Sequence, residues 1–314
     1  MTAAVLLIVF NRPAQTRSAI ERLRQLRPRT LYVSADGPRP GNATDAERCA
    51  EVRALVDTID WDCKLERRFL DENQGCRLGV SGAISWLFES EDRGIILEDD
   101  IVADPSFFPF CTELLDRYAD DERVGIISGC NFTGGRATAE ASYFFVRNLH
   151  MWGWATWRRV WQFVDLDMSD WNAHRRASFI RERYGAPWQT QQEWERHFDN
   201  TVNRKRMDVW DYQVCYALWR RGMLSVAPAV NLIDNDGFGA DATHPQGSKP
   251  KCLIDSPTGT MAFPLRHPET VALHATADGI LDREAFGIST ARSAKIAAKM
   301  QLRKLRHALT GRYA

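Results

Sequence analysis

Apolar residues in the first half of the chain fall in short runs that alternate with stretches of helical period. Val5 to Phe10 is an uninterrupted apolar run of the kind found in parallel strands buried on both faces, and Asn11-Arg12-Pro13 closes it. Gln15 to Leu26 then places Ile20, Leu23 and Leu26 on one helical face. Leu31 to Ser34 predicts a second strand, stopped by Asp36-Gly37-Pro38. Thr44 is placed to cap a helix running to Ile59, with Val52, Leu55 and Val56 inward. A third strand is expected near Lys64 to Leu70, and a helix from Cys76 to Glu89 with Val80, Ile84, Leu87 and Phe88 inward. Gly94 to Leu97 predicts a strand that runs straight into Glu98-Asp99-Asp100. Pro105 opens another helix ending near Tyr118, and Val124 to Ser128 is a further strand.

This alternation predicts an α/β protein with right-handed βαβ units, a mainly parallel Rossmann-like sheet and flanking helices. Ligands of such sheets bind beyond the carboxyl ends of the strands. Asn11-Arg12, Asp36 and Asp99-Asp100 all fall there. From Ser142 to about His244 the pattern becomes Trp-rich with interspersed helices. Thr243 to Pro268 holds five Pro and reads as loop. Boundaries are expected near residues 132 and 250, so that 1–132 and 133–250 form two halves of one domain and 251–314 a loop and basic helical tail.

At 314 residues the chain has room for one large domain or two closely joined ones. Lys and Arg number 41 and so do Asp and Glu, a balance that argues against nucleic acid as a partner. The 11 Trp residues suit the flat C–H faces of sugars, although about half are expected in the core. The first residues lack the basic start and cleavage site of a signal peptide, and Ala3 to Phe10 is too short to span a bilayer. The seven Cys form no C-x-x-C pair, which fits a reducing cytoplasm. The tail from Ala291 to Arg312 has seven basic residues and no acidic one. Its Ala294–Leu309 stripe either packs on the domain or rests on an anionic membrane surface.

Three consecutive carboxylates at the end of a buried strand repel one another and cost desolvation free energy unless a cation joins them. Mn²⁺ or Mg²⁺ fits, because such ions take one or two carboxylates beside substrate phosphates. Arg12 is placed to hold a phosphate, or is a surface arginine. Asp36 is placed to accept from a base N–H, or is a turn residue, and Asn73-Gln74-Gly75 has the same two readings. Asp211, between Trp210 and Tyr212, is a candidate general base or a helix N-cap. His150 faces an acceptor or packs.

These stretches together resemble the GT-A glycosyltransferases. The likeness is to the Golgi N-acetylglucosaminyltransferase I-like enzymes that begin complex N-glycan branching. It rests on Phe10-Asn11-Arg12, Ser34-Ala35-Asp36, Ile96-Leu97-Glu98-Asp99-Asp100 with Pro105-Ser106-Phe107-Phe108, Ile127 to Asn131, Gly153-Trp154, Trp210-Asp211 and Phe238-Gly239 leading to His244. The order is the family's, over residues 5 to 245, and the acidic motif with its Pro-x-Phe-Phe sequel is the most specific part. The anchor and stem of the Golgi enzymes have no counterpart in this sequence. The Asn73 stretch looks more like bacterial family-2 glycosyltransferases.

The resemblance implies a nucleotide-sugar donor, UDP-linked, bound by residues 1–132, and a glycan or lipid-linked acceptor met by residues 133–250. It implies inverting transfer in surface-glycan synthesis of the bacterial kind. By it, Phe10, Asn11, Arg12 and Asn73 serve the donor, with Arg12 on its phosphates. Asp36 reads uracil, Glu98 meets the donor sugar, Asp99 the ribose and Asp100 the metal. Asp211 is the catalytic base. His244 closes near the pyrophosphate and metal, and Trp152, Trp154 and Trp210 face the acceptor. Two rivals stand beside this expectation. A sugar nucleotidyltransferase shares the metal logic, but residues 5 to 20 hold no Gly or Lys to cradle a triphosphate. A non-catalytic sugar-binding module explains the Trp content but not the carboxylates.

Overall fold

The computed structural model describes residues 2–137, 140–147, 150–171, 178–203, 208–238, 249–295 and 298. His244, and the expected tail helix beyond residue 298, lie outside them.

The first half alternates as its pattern predicts. It runs β1 (Ala4–Val9), α1 (Pro13–Leu26), β2 (Thr30–Ala35), α2 (Ala43–Val56), β3 (Lys64–Phe69), α3 (Gly75–Ser90) and β4 (Arg93–Glu98). Every residue of β1 is buried, which is why its run is apolar without alternation. Pro13 opens α1, where its missing N–H costs nothing. α2 begins at Ala43, two residues earlier than a cap at Thr44 predicts. Asn42 has extended backbone geometry and its side chain accepts from the Asp45 N–H at 3.1 Å, so Asn42 is the cap. The helix also stops at Val56, three residues short of Ile59.

β5 (Ile101–Ala103) follows the acidic motif, then α4 (Phe107–Arg117), β6 (Val124–Ser128), β7 (Tyr143–Val146) and β8 (Trp154–Trp157). α5 (Arg158–Trp161), α6 (Ser178–Tyr184), α7 (Trp188–Asn203) and α8 (Asp211–Arg220) lead to β9 (Leu224–Pro228) and β10 (Ile233–Asn235). α9 (Lys251–Ile254) and α10 (Ala275–Glu284) complete the described elements.

Eight strands form one sheet in the order β3-β2-β1-β4-β8-β6-β9-β7. β3, β2, β1 and β4 are mutually parallel. β8 runs antiparallel between β4 and β6, β9 lies parallel to β6, and β7 antiparallel to β9. Six strands therefore point one way and only β8 and β7 oppose them. The protein is α/β with a large, mostly parallel central sheet flanked by helices. A two-stranded ribbon of β5 and β10 stands beside it.

Tryptophan serves mainly the core of the second half. Seven of the 11 Trp are buried, and Trp194 packs edge-on against Trp219 with centroids 4.4 Å apart. Among the described residues no helix is long and apolar enough to cross a membrane.

Candidate functional site

β1, β2 and β4 are parallel neighbours, so the residues that follow them gather at one edge of the sheet. A cleft of about 760 Å³ opens there. Phe10, Arg12, Asp36, Asn73 and the acidic motif line one side, and Trp152, Trp210 and Asp211 line the other. Two expected residues do not line it. Asn11 is 8 % exposed and its Nδ2 donates to Asp45 Oδ1 at 2.7 Å, tying the end of β1 to α2. Trp154 is buried in β8 and stacks on Trp210 at 5.6 Å, so it supports the wall from behind.

The acidic motif carries an internal counter-ion. Arg12 donates from Nη1 to Asp100 Oδ2 at 2.9 Å and from Nη2 to Asp99 Oδ1. Burial opposes the charge on Arg12, but the two aspartates outweigh it and raise its pKa. Asp99 Oδ2 is buried and has no hydrogen-bond partner among the described residues. Burial pushes the Asp99 carboxyl up to about 6 against the pull of Arg12. Glu98, at the end of β4, is pushed up to about 8 by burial and then by the fields of Asp100 and Asp99. One guanidinium thus serves three carboxylates.

The chain after β10 passes directly behind Asp100. The Asp236 N–H donates to the Asp100 carbonyl at 2.9 Å. A Cβ on Gly237 would stand 2.2 Å from Asp100 Oδ2, so only glycine lets the backbone approach this closely.

Asp36 is engaged by its own chain. It accepts from the Gly37 and Gln74 N–H groups and from Asn73 Nδ2, each at 2.9 Å, and burial raises its pKa. Asp36 and Asn73 thereby join the end of β2 to the start of α3. At that start the Cys76 and Arg77 N–H groups each donate at 2.7 Å to a carboxylate from the far half, Asp208. Gly75 makes this turn with φ +74. Sequence reasoning missed Asp208. Its one local signal is its place three residues before Asp211 in a Trp-containing stretch.

Asp211 is the first residue of α8, and Trp210 holds the cap position. The N-cap alternative for Asp211 is therefore replaced by a first-turn residue. Its carboxylate accepts only the adjacent Tyr212 N–H, at 2.9 Å, among the hydrogen bonds of the described residues. It faces the open volume of the cleft, and the surrounding protein raises its pKa.

Among the described residues no group of three or more His, Cys, Asp or Glu side chains is arranged to hold a metal alone. The donor set fits an ion that shares its shell with phosphate oxygens: Asp100 supplies one carboxylate beside an excess of negative charge. The cleft also includes Phe286 and Arg292 of the C-terminal segment, which the sequence did not mark as site residues.

No family model and no curated protein matches the chain. Two solved structures resemble it in part. One is described as a glucose-1-phosphate thymidylyltransferase of Bacillus anthracis in complex with sucrose, with TM-score 0.29 and 11% identity over 51% of this chain and 74% of that one. The other is a UDP-glucose pyrophosphorylase complexed with UDP-glucose, with TM-score 0.32 and 8% identity over 52% and 79%. Each likeness spans about half of this chain.

Proposed function

We propose that the protein is a metal-dependent glycosyltransferase of the GT-A kind, moving a sugar from a UDP-linked donor to an acceptor hydroxyl with inversion. The observation that carries this reading is one cleft with two chemistries. An acidic cluster at the carboxyl edge of the sheet faces a separate carboxylate, Asp211, on the opposite half.

Arg12 has the donors to pair with a diphosphate once it leaves its aspartates. The unpartnered Asp99 Oδ2 is an acceptor suited to a ribose hydroxyl. Asp100 and the donor's own phosphate oxygens would hold a divalent ion, which supplies Lewis-acid neutralisation of the leaving diphosphate. Asp211 takes the proton of the acceptor hydroxyl as that oxygen attacks the anomeric carbon. The protein around it raises its pKa, which improves a carboxylate as a base. The oxygen bond to the diphosphate breaks on the opposite face, so the anomeric configuration inverts.

A nucleotidyltransferase needs a cradle for a triphosphate. Of the helix N-termini at this cleft, that of α3 is already occupied by Asp208 and that of α8 begins with the carboxylate of Asp211. The test is a thermal-shift screen of nucleotide sugars with and without Mn²⁺, repeated on Asp100→Ala. A UDP-sugar that stabilises the wild type only with Mn²⁺, and not the variant, is expected. Pyrophosphate release from UTP and a sugar 1-phosphate would instead establish a nucleotidyltransferase. Sugar binding with no nucleotide dependence would establish a binding module.

A further inference from the structure

The cleft wall supplied by α7, α8 and the C-terminal segment is built unlike the acidic side. Glu193 on α7 is 1 % exposed and has two cationic partners. Arg196, one turn on, stands at 2.9 Å, and Arg292, from beyond α10, at 2.7 Å. Two guanidiniums share one carboxylate, so the trio carries one net positive charge. His197 adds none. Burial, then Arg196 and Arg292, hold its pKa down at about 3.

Arg292 is the member of the trio that reaches the cleft, with 47 % of its side chain exposed. Its donors are not used up. Its contact with Glu193 is an ion pair through Nε, and Glu193 Oε1 makes no aligned hydrogen bond. Among the described residues its Nη1 has only the Gly287 carbonyl, at 3.4 Å. The other arginines lining the cleft are committed, Arg12 to Asp99 and Asp100 and Arg39 to Asp45.

Apolar faces adjoin this charge. Phe286 stacks on His150 at 5.1 Å, and His150 lies 5.1 Å from Trp152. Burial holds the pKa of His150 down at about 4, and among the described residues its Nε2 has no partner. Tyr212, the residue after Asp211, feels the fields of both Arg196 and Arg292. The positive charge, the aromatic faces and Asp211 thus share one wall.

We infer that this wall is the acceptor subsite and that the acceptor carries an oxyacid anion, a carboxylate or a phosphate, which pairs with Arg292. The sugar ring of that acceptor lies against Trp152 and Phe286. The acidic motif repels the same anion, so the pairing fixes which end of the acceptor meets Asp211. This inference rests on the glycosyltransferase reading for its word "acceptor", but the anion site can be tested without turnover.

The intact protein, saturated with Mn²⁺ and UDP, is titrated with methyl β-glucuronide, glucose 6-phosphate and methyl β-glucoside, with tryptophan fluorescence as the readout. At least one anionic sugar is expected to bind about tenfold tighter than the neutral one, the scale of one charge-assisted hydrogen bond. The tighter of the two anions distinguishes carboxylate from phosphate. Arg292→Gln should abolish the preference and leave UDP affinity unchanged, while Arg292→Lys should keep part of it. Equal binding of all three sugars by the wild type, or a preference that survives in Arg292→Gln, overturns the inference. UDP and Mn²⁺ binding is measured first in the same sample. If UDP fails to bind while the Arg292-dependent anion preference persists, the glycosyltransferase reading falls and the anion site stands.

Discussion

Asp99→Asn should make the metal-free protein more stable at neutral and alkaline pH, although it deletes half of an ion pair. The Asp99 carboxyl moves from 3.8 to about 6 on folding, with burial as the largest cause and Arg12 already included as an opposing one. That difference is worth about 3 kcal/mol in favour of the neutral form. The pKa is raised in the folded state, so the folded protein holds the proton longer than the unfolded chain does. Stability from this group is complete below about pH 4 and is lost as pH rises through about 6. Asparagine keeps the shape and still accepts from Arg12, but never ionises. In EDTA the variant should therefore match the wild type near pH 4 and exceed it near pH 8 by about 3 kcal/mol. That is on the order of 5 °C in Tm for a chain of this size. Thermal unfolding followed by circular dichroism across that range measures both ends. A variant less stable than the wild type near pH 8, or a difference that does not change with pH, would refute the reasoning. The same substitution removes an acceptor from the proposed donor site, so its gain in stability should come with weaker UDP binding.

Three further outcomes follow from single contacts. Asp211→Asn should lower turnover by about a hundredfold or more, with donor affinity retained, and a parallel loss of UDP binding would assign Asp211 to the donor instead. Gly237→Ala puts a methyl 2.2 Å from Asp100 Oδ2 and should raise the Mn²⁺ concentration needed for nucleotide-sugar binding, and an unchanged Mn²⁺ titration counts against Asp100 as the ligand. Asp208→Ala leaves the Cys76 and Arg77 N–H groups without their acceptor and should cost about 1 kcal/mol in urea denaturation, whereas an unchanged midpoint would show that water replaces the carboxylate at no cost.

What could be read from the sequence, and what could not, follows the range of the interactions concerned. β1 and β4 announce themselves because strands buried on both faces need continuous apolar runs, and the polar residues that follow mark the edge of the sheet. β7, β8 and β9 escaped notice. They are four or five residues long, β7 and β8 rich in aromatics and β9 a short buried run, and such stretches fit a buried helix as well as a strand. What makes β8 a strand is its antiparallel insertion between β4 and β6, a pairing that no local period encodes. Asn11 and Trp154 show a second limit. Extended backbone sends successive side chains to opposite sides, so Phe10 and Arg12 line the cleft while Asn11 turns to Asp45. A matching stretch marks the place and not the direction. Asp208 and Arg292 were beyond reach for a third reason, since one caps a helix that begins 133 residues earlier, at Gly75, and the other pairs with Glu193 across 99.

The pairing of Arg12 with the acidic motif belongs to neither class. The two stretches lie 87 residues apart, yet both were singled out. β1 and β4 are neighbours in the sheet, with Ile8 opposite Glu98, so whatever follows one strand must meet whatever follows the other. A cation after β1 and carboxylates after β4 are then a single electrostatic unit. Without the guanidinium, Asp99 and Asp100 would have no ion-pair partner among the described residues. With it, under the proposed function, a diphosphate that drew Arg12 away would expose the carboxylates to a divalent ion arriving with the phosphates. On the proposed function, affinity for the metal would then depend on the nucleotide, and Mn²⁺ alone should bind this cleft far more weakly than Mn²⁺ with UDP.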